Sequence, residues 1–192
     1  MHSKSSRKTT RGGTLYTIGH SDRSFEAFLA LLRAHGIAQV VDVRTIPKSR
    51  HNPQFVREAL APALRARKIN YRWLPALGGL RHARKDSPNT GWHNASFRGF
   101  ADYMATDEFA DGLATLEGIA RKKCATVMCA EAVWWRCHRR IIADYLLAEG
   151  VPVAHIMGHN KINPAKRTPG VRSLPSGRLV YPAAEEEVKA LG

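Results

Sequence analysis

The chain has 192 residues, 44% of them hydrophobic, enough for one well-buried core and short for two, so wholesale disorder is excluded. No window approaches the roughly 18 uninterrupted apolar residues of a membrane span, so no membrane-spanning helix is expected. Thirty Lys and Arg against sixteen Asp and Glu leave a net charge of +14, which suits an anionic partner.

Residues 1–13 are polar and basic and end in Gly12-Gly13, so a disordered tail is expected there. No apolar stretch follows the tail, so it does not read as a secretory signal, and a cytoplasmic chain is expected. Leu15 to Ile18 is a β-rich run closed by Gly19, a first strand. Ser24 caps a helix that places Phe25, Phe28, Leu29 and Leu32 on one face and ends at Gly36. Gln39 to Val43 is the second strand. Asn52-Pro53 opens a second helix with Phe55, Val56, Leu60 and Leu64 inward, and Ile69 to Leu74 is the third strand.

Residues 76–96 contain Gly78-Gly79, Pro88 and Gly91 and read as a long basic loop. Helices follow over Arg98 to Met104 and from Thr106 or Asp107, the latter burying Phe109, Leu113, Leu116 and Ile119. Ala125 to Cys129 is the fourth strand, Arg136 to Ala148 a helix stopped by Gly150, and Val153 to Ile156 the fifth strand. Residues 160–177 are basic and rich in Pro and Gly, a second loop, and Leu179 to Tyr181 adds an edge strand. This alternation predicts a single α/β domain over residues 14–192. Its sheet is mostly parallel, of five or six strands, with helices on both faces.

In such sheets ligands bind beyond the carboxyl ends of the strands. The candidates there are His20 and Ser21 after the first strand, Asp42 and Arg44 ending the second, and Cys129 and Glu131 ending the fourth. Asp42 lies between Val41 and Val43, where a carboxylate is costly unless paired, and Arg44 points to the same face two residues on. A structural ion pair and a tuned acid or base are both open readings of it. Glu131 precedes Ala132 to Trp135, an apolar setting that would raise its pKa and suit a general acid. Cys137, His138, Arg139 and Arg140 fall in the first turn of a helix, where an anion such as phosphate would offset cations that oppose the helix dipole.

Three other chemistries bear on the same residues. Cys129 and Arg136 bracket a segment of phosphatase or rhodanese length, but that segment has no glycine and carries Glu131. Zinc on Cys129, Cys137 and His138 lacks a C-x-x-C pair, and neighbouring Cys137 and His138 are awkward for one tetrahedron, so no metal and no cofactor is expected. Gly19 stands without a G-x-G-x-x-G, against a dinucleotide fold. The cysteines, Cys124, Cys129 and Cys137, read as free thiols.

The positive charge is clustered. Arg44 to Lys85 carries eleven basic residues against one acid, Glu58, and Lys161 to Arg178 carries five more. Nucleic acid is the expected partner, DNA before RNA, with no membrane and no obligate protein partner implied. Trp92, Trp134 and Trp135 lie beside basic residues, as base-stacking platforms do.

The ordered motifs Thr17-Ile18-Gly19-His20-Ser21, Asp42-Val43-Arg44 with Pro47 and Ser49-Arg50, Phe55, Leu77-Gly78-Gly79, Met128-Cys129-Ala130-Glu131 and Cys137-His138-Arg139 closely resemble the bacterial family catalogued as domain of unknown function 488, over about residues 14–157. The resemblance implies an α/β domain with a shared site and brings no established reaction. Some relatives carry DNA-repair labels, and the chain departs from them at Val133-Trp134-Trp135, where relatives tend to be polar. The leading expectation is an enzyme that hydrolyses or excises part of a nucleic acid, a base or modified base. Glu131, Asp42, His20 and Cys129 are its catalytic candidates, and Ser21, Arg44, Ser49, Arg50, Cys137, His138 and Arg139 its phosphate-binding ones. The alternatives are a thiol enzyme on a small anion with Cys129 as nucleophile, and a non-catalytic nucleic-acid-binding module.

Overall fold

The structure, a computed structural model, describes residues 13–183. The disordered tail expected over residues 1–13 falls, but for Gly13, outside them. The elements in chain order are β1 (Leu15–Gly19), α1 (Phe25–Ala34), β2 (Gln39–Asp42), α2 (Arg57–Ala66), β3 (Asn70–Trp73), α3 (Ala95–Tyr103), α4 (Asp107–Ala120), β4 (Ala125–Cys129), α5 (Arg139–Ala148), β5 (Val153–Gly158), β6 (Lys161–Pro164), β7 (Arg172–Ser173) and β8 (Leu179–Val180). β1 to β6 form one sheet in the order β3-β2-β4-β1-β5-β6, parallel except for the antiparallel edge strand β6.

The alternation of the strands decides which helix packs where. Ile18, Val40, Met128 and Ile156 face α1 and α2, where Phe28, Leu32, Leu60 and Leu64 are buried. Val41, Val43 and Val127 face the opposite way, against Phe100, Phe109, Leu116, Ile141 and Leu146 of α3, α4 and α5. Each fully buried Leu, Ile or Phe contributes about 1.5–3 kcal/mol relative to exposure, so both layers hold the sheet. Among the described residues no helix is long and apolar enough to cross a membrane.

Strand order also fixes the position of the site. β1 and β4 are neighbours, yet β1 leads through α1 on one face and β4 through α5 on the other. The chain therefore departs in opposite directions beyond their carboxyl ends and leaves a crevice there.

Four local expectations are corrected. Pro53–Phe55 is a 3-10 turn separated from α2 by Val56 in extended conformation (φ −67°, ψ 143°), so Asn52-Pro53 does not open one continuous helix. α5 starts at Arg139 rather than Arg136, because the 3-10 turn Trp134–Arg136 is broken by extended Cys137 (φ −131°, ψ 144°). Residues 160–177 are not wholly a loop. Lys161–Pro164 pairs with β5, and its nearly all-exposed side chains leave no alternation to read. Leu179–Val180 pairs with β7 in a separate two-stranded ribbon, not on the edge of the main sheet. That ribbon and the 76–96 segment are fixed by buried polar groups. Asn89 accepts from the Tyr181 amide (3.0 Å) and donates to Asp102 (2.8 Å), while the Tyr181 hydroxyl donates to Asp144 (2.9 Å).

Candidate active site

The crevice is framed by backbone. Beyond the last strand residues, His20 N–H donates to the Cys129 carbonyl and Ser21 N–H to the Ala130 carbonyl, both at 2.9 Å. The two chains approach closely because residue 19 has no side chain, and a Cβ there would collide with the Glu131 carbonyl. Gly19→Ala is therefore expected to displace the 130–132 segment and to cost about 1–3 kcal/mol of stability in chemical denaturation. A variant as stable as the wild type would show that this contact is loose.

Beneath the crevice lies a buried ion pair. Asp42, 0% exposed, accepts from the Arg44 amide (3.1 Å), Arg44 Nε (2.9 Å), Arg44 Nη2 (2.6 Å) and the Tyr71 hydroxyl (2.6 Å). Arg44 also donates to the Phe55 carbonyl (2.8 Å) and through Nη1 to His20 Nε2 (3.2 Å). That assigns the proton of His20 to Nδ1, which donates to the Ser21 carbonyl at 2.8 Å. The His20 ring stacks on Phe55 at 4.3 Å, and burial, together with the Arg44 charge, lowers its pKa to about 4. His20 is thus neutral with both nitrogens engaged. Ser21 turns through the left-handed region (φ 52°), which brings its carbonyl onto His20. Asp42, Arg44 and His20 act together, but as a buried frame whose polar atoms are saturated.

On the other side of the sheet three ligand-type side chains converge. The sulfurs of Cys129 and Cys137 and a ring nitrogen of His138 all lie within 4.8 Å of one another, with Cys137 Sγ 3.7 Å from His138 Nδ1. Neighbouring Cys137 and His138, awkward for one tetrahedron by their adjacency, are nonetheless brought to one point. Cys137 is extended and His138 is helical (φ −58°, ψ −14°), and this change of backbone conformation brings both onto Cys129. Buried Arg139 donates from Nε to Cys137 Sγ (3.2 Å) and from Nη2 to the Glu131 carbonyl (2.5 Å). It therefore faces inward and is not a free phosphate ligand at the helix start. Burial opposes ionisation of Cys137, yet the Cys129 thiol, the His138 ring and the Arg139 guanidinium hold it well below the ordinary thiol range. Cys129, hydrogen-bonded to that sulfur and buried, is pushed well above the same range, which disfavours it as the nucleophile.

A cleft of about 400 Å³ opens over this cluster, lined by Cys129, Glu131, Cys137 and His138 together with Lys48, Arg136, Ile46 and Leu80. Glu131 is exposed within it and is not enclosed by Ala132 to Trp135, as their apolar character had suggested. Ser49 is committed to a turn, its Oγ accepting from the Asn52 amide at 3.0 Å, whereas Arg50 is exposed. Of the three tryptophans expected to stack on bases, Trp135 is 46% exposed. Trp134 stacks instead on His155 at 4.4 Å, and Trp92 on Phe97 at 4.9 Å with Arg140 above it, beside a separate groove of about 770 Å³. Lys48, Ile46 and Leu80 were not among the sequence candidates, and Arg136 entered only as the partner of Cys129 in a phosphate loop. Their positions in the segments that follow β2, β3 and β4 were the available clue.

A family model described as Domain of unknown function DUF488 matches residues 24–146, well over half of the chain. The chain belongs to the DUF488 family. The matched span holds Asp42, Arg44 and the whole Cys129–Arg139 segment, so the ion pair and the thiol–histidine cluster lie within the DUF488 region, while His20 and Ser21 precede it. No curated protein and no solved structure matches this DUF488 chain.

Proposed function

We propose that this DUF488 protein is a hydrolytic enzyme acting on nucleic acid, with one base taken into the cleft beyond β4. One observation carries the reading. Glu131 lines a cleft whose other lining includes exposed Lys48 and Arg136, with the apolar side chains Ile46 (58% exposed) and Leu80 (67% exposed) alongside. Exposed Trp135 adjoins Arg136 in the chain. Cationic groups beside exposed apolar and aromatic surface are what a phosphate chain with splayed bases requires. The net charge of +14 supports the same partner.

The roles follow from exposure. Glu131, open to the cleft, exchanges the proton of the hydrolytic step. Lys48, Arg50 and Arg136 hold phosphates, and Trp135 stacks. Asp42, Arg44 and His20 hold the ends of β1 and β2 in register, and of the three Arg44 alone reaches the wall of the cleft.

Oligonucleotide binding measured against salt, beside a turnover screen on damaged and modified oligonucleotides, tests the reading. Contact with roughly six phosphates gives a log–log slope near −5 on duplex DNA, and K48E/R50E/R136E should flatten it by about 3. Glu131→Gln should keep binding and lower turnover about a hundredfold or more. Absent binding at low salt, or a Glu131→Gln protein with full turnover, would sink the proposal.

A further inference from the structure

We infer that Cys129, Cys137 and His138 form a binding site for one divalent transition metal, zinc by preference, with the fourth coordination position open to the cleft. Two thiolates and an imidazole are a borderline-soft ligand set that suits zinc and disfavours magnesium or calcium. In a tetrahedron with Zn–S of about 2.3 Å and Zn–N of about 2.0 Å, sulfur and nitrogen lie about 3.5 Å apart. The observed separation of Cys137 Sγ from His138 Nδ1 is 3.7 Å, and all three ligand atoms fall within 4.8 Å. Only small adjustments separate this cluster from a coordination shell.

The surroundings fit a metal ligand set. Arg139 is 1% exposed and donates to Cys137 Sγ, a charge-assisted contact that orients the sulfur as outer-shell partners do. The His138 ring is held edge-on to Phe100 (centroids 5.0 Å apart), and a Cβ at residue 79 would lie 2.5 Å from His138 Nδ1, so Gly79 makes room for that nitrogen. Of the two His138 ring nitrogens, Nδ1 is the one placed 3.7 Å from Cys137 Sγ, while Nε2 is buried without a hydrogen-bond partner among the described residues. Cys129 is anchored by the strand ladder and Cys137 by the turn before α5, so the ligands come from two rigid elements. Cys124 is exposed, and its sulfur lies 3.8 Å from the His35 carbonyl, outside the cluster.

Three protein ligands with one open position describe a catalytic rather than a structural metal. Its use in hydrolysis rests on the function proposed above. The metal would make a bound water acidic enough to give its proton to Glu131. The resulting hydroxide would replace the base nitrogen at the anomeric carbon, the C–N bond breaking as the C–O bond forms, and Glu131 would return the proton to the departing nitrogen. Nothing is oxidised or reduced.

The test is titration of chelator-treated protein with cobalt(II). One equivalent should bind with intense sulfur-to-cobalt absorption and tetrahedral d–d bands. Cys129→Ser and Cys137→Ser should each weaken binding at least about a hundredfold, and Arg139→Gln about tenfold to a hundredfold, whereas Cys124→Ser should change nothing. Should a cysteine variant fail to fold, the wild-type protein still decides. Bound zinc should protect Cys129 and Cys137, but not Cys124, from alkylation read by mass spectrometry. Absence of the sulfur band, or equal alkylation of all three thiols with and without zinc, overturns the site. The two readings fail separately. Metal bound with no oligonucleotide turnover sinks only the hydrolase, and turnover by a protein that shows no sulfur band and resists chelator sinks only the metal.

Discussion

Asp42→Asn should destabilise the fold by about 3–5 kcal/mol, a large part of the total stability of a domain this size. The carboxylate receives three hydrogen bonds from Arg44 and one from Tyr71, and it is wholly buried. Removing its charge leaves the Arg44 guanidinium, 5% exposed, with a buried charge opposed only by the Phe55 carbonyl and His20 Nε2. The cost of that uncompensated ion is what makes the single change severe. Replacing both partners, as in D42N/R44M, removes the orphaned charge and should recover a large part of the loss. Tyr71→Phe deletes one hydrogen bond and should cost about 1 kcal/mol. Denaturant titration of the set separates these cases. An Asp42→Asn protein within 1 kcal/mol of the wild type, with its midpoint barely moved, would mean that the pair does not fix the end of β2.

The two-residue spacing of Asp42 and Arg44 made that pair legible in the sequence, because alternate residues of a strand share a face. The strands themselves were legible for the same reason, since β1, β2, β4 and β5 are runs of β-branched and apolar residues bounded by turn formers. The crevice beyond β1 and β4, around which the candidate residues gather, followed from topology alone. What failed depended on backbone detail with no compositional mark. Cys137 and His138 meet Cys129 because one residue is extended and the next is helical, a change that adjacency in the sequence does not show. Glu131 is followed by four apolar residues, yet only Trp134 and Trp135 of them enter the 3-10 turn, and Glu131 stays exposed. Trp134 finds an imidazole rather than a base, through a contact across 21 residues that no local pattern encodes. β6 carries no buried face, so its pairing left no period-2 trace.

Acid should weaken the protein well above the range in which carboxylates titrate, because two histidines are buried in their neutral form. His155 is 2% exposed, hydrogen-bonded through Nδ1 to Thr17 Oγ1 (2.7 Å) and stacked on Trp134 with the rings only 8° apart. Burial, with the nearby Arg139 charge adding, lowers its pKa to about 4, and His20 lies at about 4 for the same leading reason. In the unfolded chain each returns to about 6.5. Between pH 6.5 and 4 the unfolded state therefore binds more protons than the folded one, so stability rises with pH across that window and is lost as pH falls through it. A depression of this size is worth about 3 kcal/mol per histidine once complete, and the pair should give a slope of about 2.7 kcal/mol per pH unit in the middle of the window. His155→Gln removes one titrating group while keeping a polar partner for Thr17, and should reduce that slope by about half. Its stability at pH 7 should lie below that of the wild type through lost packing against Trp134, so the two curves should converge as pH drops toward 4. Denaturation curves at half-unit steps from pH 7 to 4 read this directly. A His155→Gln protein that keeps the full wild-type slope would show that the buried imidazole is not what acid attacks.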